Sequence, residues 1–190
     1  MRQNRPLTAA REILTVGHST HPIERFEALL GGAGVETIAD VRRFPGSRRH
    51  PQFAREALDA ALGRAGIVYE WLGEELGGRR RARPDSPNDA WRVDAFRGYA
   101  DHMQGAEFAR GLARLEALAG ERRTAFMCAE GDWHRCHRRL IADALSARGW
   151  RVVHLLPDGR RADHELPGFA TFAGGRLSYV SQPAIGGIES

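Results

Sequence analysis

Short runs of apolar, β-forming residues alternate along the chain with segments whose apolar residues recur at helical spacing. The apolar runs predict five strands, at residues 13–16, 35–41, 67–71, 124–128 and 151–156. The helical spacing predicts helices over residues 22–32, 53–62, 95–103, 107–118 and 136–148. Strands that alternate with helices favour right-handed βαβ crossovers. The pattern therefore predicts an α/β fold: a single domain with a mostly parallel five-stranded sheet and helices on both faces.

The same pattern divides the chain into three parts. Residues 1–12 form an N-terminal extension, residues 13–156 the α/β domain, and residues 157–190 a C-terminal tail rich in Gly and Pro, whose structure the pattern does not predict. Within the domain, residues 77–90 lack apolar periodicity and contain four arginines, which predicts a basic loop.

Composition removes several classes of function. All 28 basic residues are arginine, which excludes a lysine Schiff base, a pyridoxal-phosphate enzyme of the usual kind, a complete Walker A loop and a lysine-based lyase acting on abasic DNA. No apolar stretch approaches the roughly 20 residues needed to cross a bilayer, and the first residues lack the apolar segment of a signal peptide. We therefore expect a cytoplasmic protein that does not contact a membrane, with its two cysteines as free thiols or ligands.

Polar groups follow several of the predicted strands. His18 and Ser19 follow the first strand, Asp40 and Arg42 the second, and Glu130 the fourth. Because parallel strands end at one edge of a sheet, we expect these groups to share a crevice. These residues also have purely structural interpretations: a tight turn at residues 17–19, and a structural ion pair between Asp40 and Arg42.

Candidate catalytic and anion-binding side chains are concentrated in residues 125–139. Glu130 and Asp40 can serve as an acid and base pair in a hydrolytic or glycosyl-transfer step. The helix predicted to open at Cys136 offers free N–H groups close to Arg135 and Arg138, which favours binding of phosphate. Trp71 can stack against a base.

The two cysteines allow three interpretations. Cys128, Cys136 and His137 can bind a metal, with a fourth ligand from His18 or His134, although their spacing matches no standard zinc pattern. Cys128 can act as a nucleophile, as in rhodanese or low-molecular-weight phosphatase loops, but those loops place Arg six residues after Cys, where this chain has a histidine. Both cysteines can also be small buried hydrophobic residues.

Several of these motifs together resemble one family. Residues 15–19, Asp40 and Arg42 with Pro45 and Ser47, residues 69–73, and residues 127–130 followed by 136–138 resemble the bacterial and archaeal family called domain of unknown function 488. The resemblance runs from about Ile13 to Leu155 and is most specific at the Cys-Ala-Glu and Cys-His-Arg elements. It implies an α/β domain with a site at these motifs, and it implies no particular reaction.

The sequence thus predicts an enzyme that acts on a phosphorylated or nucleotide-like substrate, a hydrolase or an enzyme acting on a glycosyl bond. The predicted catalytic residues are Glu130, Asp40, His18 and Cys128. The predicted binding residues are Ser19, Arg42, Trp71, Arg135, His137 and Arg138. No cofactor and no metal is predicted, with Cys128, Cys136 and His137 as the alternative metal set. Two other classes remain: a module that binds DNA or RNA through its arginines without catalysis, and a Cys/His metal or thiol redox protein.

Overall fold

A six-stranded, mostly parallel sheet forms the centre of the computed structural model, which describes residues 11–46 and 48–181. The strands are β1 (Glu12–Gly17), β2 (Thr37–Asp40), β3 (Val68–Trp71), β4 (Thr124–Cys128), β5 (Arg151–Leu155) and β6 (Arg161–Asp163). Their order across the sheet is β3-β2-β4-β1-β5-β6. Strands β1 to β5 pair in parallel, and β6 is antiparallel to β5. The predicted parallel α/β fold is confirmed, and a sixth strand is added to the five predicted.

Among the described residues, six α-helices cover both faces of this sheet. They are α1 (Ile23–Gly32), α2 (Arg55–Arg64), α3 (Gly73–Leu76), α4 (Asp94–Met103), α5 (Ala106–Glu121) and α6 (Arg138–Ala147). Helix α6 begins two residues later than predicted, because a 3-10 turn over Trp133–Arg135 and the extended Cys136 precede it.

The strands alternate between two cores. Leu14 and Val16 of β1 pack with α1 and α2, whereas Ile13 of the same strand packs with α4, α5 and α6. Side chains of a strand point in turn to opposite faces, so a sheet with both faces covered needs apolar residues at nearly every position. This requirement explains why the predicted strands read as continuous apolar runs.

The described part of the C-terminal tail belongs to the same body. It contributes β6 and a hairpin of β7 (Thr171–Ala173) and β8 (Arg176–Ser178). Tyr179 is fully buried, and its hydroxyl donates to Asp143 at 2.7 Å. The tail therefore completes the core over α6. Ser47 of the resembling motif lies outside the described residues, as do residues 1–10 and 182–190.

The basic loop is irregular, and hydrogen bonds attach it to the rest of the domain. The carboxylate of Asp101 accepts hydrogen bonds from the Ser86 hydroxyl, the Asn88 amide and the Arg83 backbone N–H. Asn88 in turn accepts from the backbone N–H of Tyr179 at 3.1 Å. Within the residues that the structure describes, no helix is both long enough and apolar enough to cross a bilayer.

His154 of β5, His164 and Asp143 form a chain of buried polar side chains. His164 lies 2.7 Å from Asp143 through Nε2 and 3.0 Å from His154 through Nδ1. Because the carboxylate can only accept, Nε2 of His164 carries a proton and donates to Asp143. Burial lowers the pKa of His154 to about 2, and His164, Arg138 and His134 lower it further. His154 is therefore neutral in the folded protein.

This neutral histidine makes the fold sensitive to acid. His154 takes up a proton in the unfolded chain below its ordinary pKa of about 6.5, whereas the folded protein resists protonation down to about 2. The stabilisation is complete above pH 6.5 and is lost as the pH falls. Between pH 7 and 5 we expect His154 to remove about 2 kcal/mol from the free energy of unfolding. His154→Gln keeps a polar group that can donate to or accept from His164 and does not titrate, so urea unfolding of this variant should show a correspondingly smaller drop in the free energy of unfolding. An identical pH dependence in both proteins would contradict this role.

Candidate functional site

The ends of three neighbouring strands meet at one edge of the sheet. Gly17 of β1 is paired with Cys128 of β4, and Asp40 of β2 with Met127. The loop after β4 crosses so close to β1 that a Cβ at Gly17 would lie 1.9 Å from the Glu130 carbonyl oxygen. Only glycine fits there. The loops that follow β1 and β4 therefore pack against each other at this edge.

Two adjacent hollows open at this edge, and together we call them the cleft. The Glu130 hollow has a volume of about 360 Å³, and its lining includes His18, Ser19, Arg42, His50, Arg79 and Glu130. The Cys128 hollow has a volume of about 190 Å³, and its lining includes Arg42, Arg43, Gly78, Arg79, Cys128 and His137. Arg42, Phe44, Arg79 and Ala129 line both.

Asp40 and Arg42 form a buried ion pair beneath the cleft. Nη2 of Arg42 lies 2.6 Å from one oxygen of Asp40, and Nε lies 2.9 and 3.1 Å from the two oxygens. The carboxylate also accepts from the backbone N–H of Arg42 and from the hydroxyl of Tyr69. Asp40 is fully buried and lines neither hollow, so its oxygens are occupied within the protein.

His18 lies beside this ion pair. Its Nδ1 lies 2.9 Å from the Ser19 carbonyl oxygen and therefore carries the proton, which leaves Nε2 to accept from Nη1 of Arg42 at 3.3 Å. The ring stacks on Phe53 with 4.0 Å between centroids. Burial lowers the pKa of His18 to about 4, with the nearby Arg42 charge as the second cause. The imidazole is neutral and supports Arg42 from the side of β1.

The remaining arginines of the predicted set do not line the cleft. Arg138 is 1% exposed and donates to the hydroxyl of Thr15 at 2.9 Å and to the carbonyl of Glu130 at 2.6 Å. This guanidinium fixes the backbone of the β4 loop. Arg135 is exposed and lines neither hollow.

The predicted aromatic platform is also occupied. Trp71 donates its indole N–H to the carbonyl of Arg42 at 2.9 Å, and the guanidinium of Arg55 lies 4.6 Å from its ring centroid. Trp71 lines neither hollow. The structure thus places it as a support for the loop after β2.

The two cysteines and His137 are brought together. Nδ1 of His137 lies 3.9 Å from Sγ of Cys128 and 3.8 Å from Sγ of Cys136. Interaction with the Cys136 thiol, together with burial, raises the pKa of Cys128 well above its usual range, whereas interaction with Cys128 and with His137 lowers the pKa of Cys136 well below it. Neither cysteine forms a disulfide.

The sequence did not predict that Arg43, Phe44 and Arg79 form the outer wall of the cleft. Phe44 is 65% exposed between Arg43 and Arg79, whose guanidiniums lie 5.8 and 5.9 Å from its ring centroid. Arg79 adopts a φ of 61°, in the left-handed region, as it passes over this ring. An aromatic residue beside arginines in a strand-end loop was the available signal.

The occupied carboxylate of Asp40 and the free one of Glu130 predict opposite effects of removing their charge. Asp40→Asn leaves the buried guanidinium of Arg42 without its anion, so the free energy of unfolding should fall by roughly 3–5 kcal/mol. Glu130→Gln changes an exposed side chain and should alter it by about 0.5 kcal/mol or less. Urea unfolding measures both. An Asp40 variant with unchanged stability would contradict the structural role and favour Asp40 as an acid or base.

Comparison with known families then identifies the chain's relatives. The family model described as "Domain of unknown function DUF488" matches residues 22–145, more than half of the 190 residues. The match includes Asp40, Arg42 and the segment from Cys128 to Arg138, and it begins after His18 and Ser19. Comparison with curated proteins and with solved structures finds no match. The chain belongs to the DUF488 family.

Proposed function

We propose that this protein is an enzyme that binds a phosphorylated or nucleotide-like substrate in the cleft and acts on it with Glu130 as acid or base. One observation carries the proposal: arginines from separate loops converge on the Glu130 hollow, in which Glu130 is the single carboxylate among the described lining residues. Cationic groups around a concave site bind anions, and a free carboxylate beside them can transfer a proton.

The cationic groups of the cleft differ in how much charge they can offer. Arg42 is neutralised by Asp40. Arg43 and Arg79 form no ion pair with a described carboxylate. Both guanidiniums lie over the aromatic ring of Phe44. In the proposal, Arg43 and Arg79 supply the net positive charge, and Arg42 offers a fixed guanidinium at the floor.

Glu130 suits the catalytic role better than Asp40 does. Its backbone is fixed by Arg138, while its side chain is exposed and can exchange protons with a bound substrate or water. Because four donors already surround the Asp40 carboxylate, the proposed mechanism uses one carboxylate. Hydrolysis of a phosphate or glycosyl bond needs such a group to activate water or protonate the leaving group.

The cytoplasm is the compartment that we propose for this activity. Both cysteines are free and one of them is buried beside the cleft. A reducing compartment keeps such thiols unpaired.

Measurements of anion binding test whether the arginines of the cleft hold the substrate. Isothermal titration with inorganic phosphate, AMP and ATP should show binding that Arg79→Ser and Arg43→Ser each weaken roughly tenfold, the value of one charge-assisted hydrogen bond. The matched control is Arg110→Ser, which removes the same charge from an exposed position of α5 outside the cleft. Loss of equal size in the control, or no binding by the unmodified protein, would contradict the proposal. Glu130→Gln should keep the binding and lower the release of phosphate or base from AMP or ATP by roughly 10²–10⁴-fold.

A second candidate function is binding of nucleic acid, favoured by the basic surface next to the cleft. Arg81 and Arg83 line one shallow surface together with Arg80 and with Arg97, which pairs with Asp94. Arg79, the residue before Arg80, lines the cleft. Arg80 differs from these, because it donates to the carbonyls of Glu74 and Gly77 and pairs with Glu107. Arg80 therefore holds the loop in place.

Salt dependence distinguishes this candidate. If Arg79, Arg81 and Arg83 bind phosphates, replacing all three by Ser should weaken binding of DNA or RNA irrespective of sequence. On duplex DNA the salt slope should become shallower by about 0.9 for each phosphate that the variant no longer neutralises. Fluorescence anisotropy at several salt concentrations measures the slope, with Arg110→Ser as the control. An unchanged slope in the triple variant would rule out this surface.

A further inference from the structure

Three ligand atoms of the kind that zinc prefers lie within 4.8 Å of one another at the base of the cleft: Sγ of Cys128, Sγ of Cys136 and Nδ1 of His137. They come from the end of β4 and from the residues before α6, which lie nine positions apart at most. Cys136 is 4% exposed, and Cys128 and His137 are partly exposed where they line the Cys128 hollow.

The imidazole of His137 is oriented as a ligand. Its Nε2 lies 3.1 Å from the Val41 carbonyl oxygen, which can only accept, so Nε2 carries the proton. Nδ1 consequently presents its lone pair toward the two sulfurs. A histidine that binds metal through one nitrogen and donates to a carbonyl through the other is the usual arrangement in protein metal sites.

We propose that Cys128, Cys136 and His137 bind one zinc ion, with the fourth coordination position open to the Cys128 hollow. The Nδ1–Sγ separations of 3.8 and 3.9 Å are close to the edges of about 3.6 Å expected for a tetrahedral zinc with ordinary Zn–N and Zn–S bonds. Small movements of the side chains therefore complete the coordination.

The surroundings of the triad accommodate the ion and keep it open on one side. Two thiolates neutralise the charge of Zn²⁺, so a loaded site adds no net positive charge to an arginine-lined cleft. Gly78 packs against the imidazole, where a Cβ would lie 2.9 Å from Nδ1. His18 is hydrogen-bonded to Arg42, and His134 pairs with Asp132 at the surface. Neither is therefore in place as a fourth protein ligand.

Three protein ligands with one open position is the pattern of catalytic zinc sites, whereas structural sites use four. Water or an anionic group of a substrate would occupy that position, within a hollow that Arg42, Arg43 and Arg79 also line. The metal site does not depend on the proposed function, because zinc content is measured without any substrate.

The test starts with the full-length protein, purified without chelator and kept reduced. Plasma mass spectrometry should find about one zinc per chain, or one should be taken up on dialysis against zinc. Cobalt substitution should give a sulfur-to-cobalt charge-transfer band and the visible bands of a tetrahedral site. Zinc should also protect the partly exposed Cys128 thiol from a thiol-specific reagent, a readout that needs no variant. A reduced protein that takes up neither metal, or a Cys128 thiol that reacts equally with and without zinc, would overturn the proposal.

Variants assign the ligands. Cys128→Ser, Cys136→Ser and His137→Asn should each lower zinc affinity by roughly 100-fold or more in competition with a chromophoric chelator, since loss of even an outer partner costs 10–100-fold. His134→Asn is the matched control from the same segment and should bind zinc as the unmodified protein does. Zinc should raise the melting temperature of the unmodified protein and of the control only. Full affinity in all three ligand variants would overturn the assignment. Loss of zinc with phosphate binding retained, or the reverse, separates this proposal from the proposed function.

Discussion

The buried ion pair between Asp40 and Arg42 is the interaction on which this edge of the molecule depends. Removing two charges from water is costly, and the cost is offset only when further hydrogen bonds satisfy the remaining donors and acceptors. Here Tyr69 of β3 donates to the carboxylate, while Nη1 of Arg42 reaches the Phe53 carbonyl and His18. The pair thereby joins β1, β2, β3 and the turn before α2 in one network.

The backbone of the same segment supports the neighbouring elements. The Val41 carbonyl accepts from His137, and the Arg42 carbonyl accepts from Trp71. Gly73 passes so close that a Cβ there would lie 2.0 Å from the Arg42 oxygen. The position of residues 40–42 therefore fixes both the imidazole at the base of the Cys128 hollow and the guanidinium shared by both hollows. Polar residues after a strand are consequently ambiguous in function, since the same groups build the floor and face the substrate.

Elements with a regular period could be predicted from the sequence, and side-chain partnerships could not. The five parallel strands follow from apolar runs of strand length, and the meeting of their ends follows from parallel pairing. The sequence cannot show that Arg138 points inward to Thr15 while Arg79, in a loop without period, turns toward Phe44. The spacing of Cys128, Cys136 and His137 matches no standard zinc motif, because the end of a strand and the start of a helix bring these residues together. Strand β6 was not predicted, because its three residues show no clear alternation of apolar and polar positions.

The short segment from Cys128 to Glu130 gives the cleft its two-sided character. Ala129 lines both hollows, with Glu130 on one side and Cys128 on the other. Since Arg42 and Arg79 also line both, an anion held between them would lie within reach of either side. In the proposed function, the carboxylate would act on the anion from one hollow. In the proposed metal site, the open zinc position would face it from the other. The residues that line both hollows would therefore bring the two proposed chemistries to bear on one bound anion.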